Sequence, residues 1–304
     1  MSEVLPSDSR HETVGYSIFR HPKFLAFAGL FVTIVLGWTY LGLMVSQMIP
    51  LMDMRDAGPG MSVFNQFSQW AQLDDFGRAL LVSICGPGVL ALSGSELVTF
   101  ETIGFLTLMW SAMAMAMMLP TAAPMISAYV EICQTASKKN IATVSPIILV
   151  CGYASVWLGF AVIAASAQAG FMHVSILSPA MVTTHKGVAS LLLIGAGLYQ
   201  FSSLKQACLT KCRTPLNFFF ANWSDRTRDI FKLGVKQGLF CLGCCWALML
   251  VMFVAGIMNV IWMVLLTALM VAEKTISKAD TLRRITGFSL IAWGALIGAT
   301  LIFN

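Results

Sequence analysis

Runs of roughly 17 to 22 apolar residues recur along this chain, the length a helix needs to cross the hydrocarbon core of a bilayer. Backbone in such a setting has no water to bond and must satisfy its own polar groups, which a helix does within itself. The runs therefore predict an all-α, polytopic membrane helix bundle. Charged residues make up only 11% of the 304, against 58% hydrophobic. A soluble domain carries about a quarter, so a soluble fold for most of the chain is excluded.

The runs fall at about 24–45, 100–124, 144–168, 187–204, 237–256, 260–272 and 286–303, giving about seven spans. The sixth is short, and Gly256-Ile257-Met258-Asn259 before it reads as a tight turn that makes the fifth and sixth an antiparallel hairpin. The first 23 residues form a polar segment without the features of a secretory signal, so the first span is expected to lead the chain into the membrane. With the N-terminus inside, the inner segments hold 16 of the 19 Lys and Arg. The outer ones hold only Arg55, Arg78 and Lys186, as the positive-inside rule requires. Seven spans put the C-terminus outside.

Residues 46–99 form a long outer loop. Its stretch 79–95 is apolar but broken by Cys85-Gly86-Pro87-Gly88, which suits a re-entrant or interfacial hairpin or a pair of half-helices better than a span. No internal repeat, low-complexity linker or second soluble domain is visible, so residues 1–304 read as one integral membrane domain.

Sulfur marks the candidate chemistry. In Phe240-Cys241-Leu242-Gly243-Cys244-Cys245-Trp246 the three cysteines stand at i, i+3 and i+4 and share one helical face, at the inner end of the fifth run. Met249 and Met252 continue that stripe. Cys208 and Cys212, just past the inner end of the fourth run, share a face if that segment is helical. Topology puts both groups on one side of the membrane, so five thiols can converge. In a bacterial inner membrane that side is the cytosol, where thiols stay reduced and serve metals or redox chemistry rather than structural disulfides. In the second run, Met109, Met113 and Met117 recur every four residues. Thioether and thiolate are soft ligands suited to copper(I). Pro120 and Pro124 are expected to bend the inner end of this helix and free backbone carbonyls there.

Cysteine and methionine are also ordinary packing residues. Packing is the leading reading of the Met109 stripe, whereas three cysteines on one face favour metal or thiol chemistry; Cys208 and Cys212 stand between. Cys85, Cys133 and Cys151 are scattered and read as filler. Asn259 is adequately explained as a turn cap, and His173 and His185 are weak metal candidates in an outer loop. Phosphate-loop, GxSxG, HExxH and paired-carboxylate signatures are absent, and nothing points to nucleic acid.

Trp110-Ser111-Ala112-Met113-Ala114-Met115-Ala116-Met117-Met118-Leu119-Pro120 with Pro124-Met125 resembles the first signature of a bacterial family catalogued as predicted metal-binding integral membrane proteins, sometimes labelled copper chaperones. A second signature is similar to Tyr199-Gln200, Leu204-Lys205, Cys208, Cys212-Arg213 and Pro215-Leu216. A third resembles Gly238 to Met249, continuing to Met258-Asn259, Trp262-Met263 and Glu273-Lys274. The resemblance covers roughly 100–274. The family pattern often has His where this chain has Gln237, and Pro where it has Ser203. Loss of that His favours an all-sulfur site over a mixed nitrogen–sulfur one.

The resemblance and the sulfur pattern together imply a copper(I)-handling protein of the bacterial inner membrane, a transporter or an accessory delivering metal to a membrane complex or copper enzyme. Cys208, Cys212, Cys241, Cys244 and Cys245 are the expected thiolate site, with Met109, Met113, Met117, Met249 and Met252 as a deeper relay. Alternatives are a non-catalytic structural subunit and a membrane oxidoreductase using the Cys244-Cys245 pair; a disulfide between neighbours on a helix is strained, which ranks the latter last.

Overall fold

The computed structural model describes residues 22–49, 52–67, 100–139, 141, 143–177, 182–276 and 279–302. The hairpin expected at 79–95 lies outside them. Among the described residues are ten α-helices: α1 (Pro22–Met48), α2 (Phe100–Lys138), α3 (Pro146–His173), α4 (Lys186–Tyr199), α5 (Ser203–Arg213), α6 (Pro215–Ala221), α7 (Thr227–Leu250), α8 (Met252–Ala255), α9 (Val260–Thr275) and α10 (Ala279–Ile302). A 3₁₀ helix at Met61–Phe67 accompanies them. Among the described residues five spans, on α1, α2, α3, α7–α8 and α10, are long and apolar enough to cross a membrane, six if α4 and α5 count as one bent span. At 16 residues, α9 falls short of that length.

All seven apolar runs are helical, but three differ from expectation in ways that place the site. First, α2 runs unbroken for 39 residues through Pro120 and Pro124, well past 124. Secondly, the fourth run is interrupted: α4 stops at Tyr199 and α5 departs from it at 59°. Ser202 restarts the helix by accepting the Lys205 N–H on its hydroxyl at 3.1 Å, an N-cap that satisfies a donor the new helix leaves free. Thirdly, α7 begins at Thr227, ten residues before the apolar run at 237. Arg228, Asp229, Lys232 and Lys236 lengthen the helix without adding hydropathy. Cys241 therefore sits fourteen residues from both Thr227 and Ala255, at mid-rod rather than at an end.

In the α7–α8 span 67% of the most apolar window is buried, against 17% for α1 and for α10, so α7 is the central helix. It packs along α3 and α5, while α2 packs on α1, α3 and α9, and α4 on α10. The α3–α7 contact is glycine-mediated: a Cβ on Gly234 would lie 2.1 Å from the Leu149 carbonyl oxygen. Backbones in contact gain dispersion that bulkier side chains would forfeit.

The expected turn between α8 and α9 is present, and Asn259 caps α9 by accepting the Trp262 N–H at 3.2 Å. Asn259 also donates to the Pro59 carbonyl at 3.0 Å, which clasps the 52–67 segment to the turn. Gly58 and Gly256, with φ of 115° and 103°, make the clasp possible, since side chains are disfavoured there. From Val260 to Lys274 the returning helix covers fourteen residues, about 21 Å at 1.5 Å per residue. That matches the climb from Cys241 to Ala255, and Lys274 arrives at the level of Cys241.

Candidate metal centre

Cys241, Cys244 and Cys245 are buried on one face of α7, and their sulfurs all lie within 4.8 Å of one another. The spacing i, i+3, i+4 produces this directly. The Cys244 and Cys245 sulfurs are 3.2 Å apart, nearer than the divergence expected of helix neighbours. Cys244 turns its thiol back onto the Cys241 carbonyl at 3.1 Å, which swings its sulfur toward Cys245. Among the described residues this is the one group of three or more His, Cys, Asp or Glu side chains able to share a metal ion. His173 and His185 belong to no such group and are exposed.

Three other helices close over Cys241. From α3, the Tyr153 hydroxyl lies 3.0 Å from its sulfur and 3.2 Å from the Met118 carbonyl. From α9, the Lys274 ammonium donates to the sulfur at 3.1 Å and to the Thr121 hydroxyl of α2 at 2.7 Å. Thr121 in turn donates to the Met118 carbonyl at 2.8 Å, in the proline-bearing part of α2. A cavity of about 10 Å³, room for one water-sized guest, is lined by Thr121, Tyr153, Cys212, Gln237, Cys241 and Lys274 among others. Gln237 is buried, and among the described residues its Nε2 has no hydrogen-bond partner.

Helix α5 brings up the remaining thiols. Cys212 lines the same cavity and interacts with the Cys244 thiol, and it is partly exposed. The Cys208 sulfur packs on Gly243, where a Cβ would come within 2.7 Å of it. Both thus neighbour the buried trio, although only the trio meets the mutual 4.8 Å spacing. Met109, Met113, Met117, Met249 and Met252 are all buried in the core.

Lys205, Lys274 and Arg283, counted above as inner-segment charges, are buried instead. Lys205 pairs with Glu273 at 2.8 Å, and Arg213 donates to the Glu273 carbonyl at 2.9 Å. Arg283 donates to the Gln200 carbonyl. Beyond its charge, the sequence marked Lys274 only within Glu273-Lys274 of the third signature; Thr121 and Tyr153 carried no such mark. The signal available for Lys274 was the turn at 256–259, which folds α9 back to the level of the cysteines.

The donor set is soft and reducing, with three thiols in reach of one ion and a partly exposed fourth beside them, and it fits copper(I). No curated protein and no solved structure matches the chain. A family model does match: PpoB2, described as copper chaperone, covers residues 107–297, from α2 into α10 and including every residue of the centre. The chain belongs to that copper chaperone family.

Proposed function

We propose that this protein is a membrane-embedded copper(I) chaperone that carries its cargo on Cys241, Cys244 and Cys245 and passes it to a membrane complex or copper enzyme. The convergence of these three sulfurs within 4.8 Å, in a chain of the copper chaperone family, carries the reading. Five long apolar helices support the membrane setting. So do Phe31, Ile163, Leu191 and Phe288, large apolar side chains on outward faces more than 60% exposed. We place it in the bacterial inner membrane with the N-terminus inside.

Cys212 is the way in. It borders both the protein surface and the cavity holding Cys241, so an incoming ion exchanges ligands there first. At each step one copper–sulfur bond forms as another breaks, and copper stays monovalent. The thiol that becomes a ligand gives up its proton, and the departing thiolate takes one up. Met249 and Met252, farther along α7–α8, and the Met109 stripe of α2 offer weaker thioether ligands from which metal is released more readily.

Elemental analysis of detergent-purified protein, copper-loaded under reducing conditions, tests this. Wild type should hold copper near one equivalent, and a variant with Cys241, Cys244 and Cys245 changed to Ser should lose it. Equal copper in both would place the metal elsewhere. No copper in either would favour a structural subunit whose sulfurs serve packing.

A further inference from the structure

We propose that Lys274 is the resident counter-charge of the thiol centre and that it sets the cargo complex as a monovalent ion held by two thiolates. The inference rests on the copper reading above and adds a residue outside the sulfur ligand set. Lys274 is buried, and among the described residues its ammonium donates to Thr121 and Cys241. Among the described residues no carboxylate pairs with it; its neighbour Glu273 faces the other way, to Lys205. A buried ammonium without a counter-ion is costly. Its available partner is sulfur, so the centre is built to hold negative charge on Cys241.

Charge balance then selects the bound form. One copper(I), two thiolates and the ammonium sum to neutrality, which suits a site walled off from water. Without the ammonium the same complex would bury a net negative charge. A divalent ion needs three thiolates for neutrality beside the ammonium, and drawing in Cys212 as the fourth thiolate that zinc favours would leave a net negative charge. Lys274 thus favours a two-coordinate monovalent cargo and is a positioning residue, since it binds the ligand and not the metal.

The test compares copper(I) affinity, measured against a chromophoric chelator, in wild type, Lys274→Met, Lys274→Arg and Lys205→Met. Lys274→Met, similar in length and uncharged, should weaken binding about tenfold or more, the scale of a lost charge-assisted hydrogen bond. Lys274→Arg should stay within about threefold of wild type, because it keeps the charge. Lys205→Met, which breaks the neighbouring ion pair, should lower thermal stability and leave affinity unchanged, separating charge at the centre from damage to α9. X-ray absorption should find two sulfurs on wild-type copper. Unchanged affinity in Lys274→Met, or three sulfurs on wild type, would overturn the inference while leaving the copper function standing. A wild type that binds no copper would instead bring down the function itself.

Discussion

At Tyr153 one hydroxyl joins three helices, reaching the Met118 carbonyl of α2 and the Cys241 sulfur of α7 from its place on α3. Tyr153→Phe keeps the ring and should cost about 1 kcal/mol of stability, the net worth of an ordinary hydrogen bond. Thermal unfolding in detergent checks this; a loss of several times that size would mean the hydroxyl organises more than these two contacts. Glu273→Gln should be far more damaging, about 3–5 kcal/mol, because it strands the Lys205 ammonium in the interior. Adding Lys205→Met should recover much of that loss. The cysteine trio was legible from the sequence because its ligands stand on one helix, where spacing alone fixes direction. Lys274, Tyr153 and Thr121 were not, because each comes from a different helix and only tertiary packing brings them to Cys241.

Each of the seven apolar runs holds a helix, whereas α6 lies outside them and the ends of α2, α4 and α7 differ from the runs. Hydropathy stops where charge begins, yet α7 continues through Arg228, Asp229, Lys232 and Lys236, because Ile230, Leu233 and Gly234 keep the other face of those turns buried. That error moved the cysteines from mid-helix to a terminus. The break between α4 and α5 was missed for a related reason: Gln200, Ser202 and Ser203 are polar but uncharged, and Phe201 and Leu204 extend the apolar run past them. Pro120 and Pro124 misled in the opposite direction, as α2 absorbs both. The α3–α7 contact offers the sharpest test of element packing. Gly234→Ala puts a Cβ against the Leu149 carbonyl and should cost about 1–3 kcal/mol as the helices part. Unfolding measurements on this variant and on Gly29→Ala, where a Cβ meets nothing within 4 Å, separate contact from helix propensity.

For the whole molecule, the proposed orientation rests on basic residues, three of which proved to be buried and bonded. The remaining inner bases still far outnumber the outer ones, and Lys138, Lys139, Arg226, Arg228, Lys232 and Lys236 are exposed as the rule expects. A reporter active only in the periplasm should therefore be active when fused after Asn304 and silent when fused before Met1. The reverse pattern would invert the topology.

The 39 residues of α2 span about 58 Å, nearly twice the roughly 30 Å of a bilayer's hydrocarbon core. If its apolar half fills the lipid, the other half stands in water. Tyr129, in that far half, stacks edge-on against Phe219 of α6, and Trp223 packs beside it. The first turns of α7 lie alongside, with Asp229, Lys232 and Lys236 facing Asn222 and Trp223 across a shared hollow. On that placement the bundle carries a porch of its own making beyond the lipid, framed by α2, α6 and the start of α7.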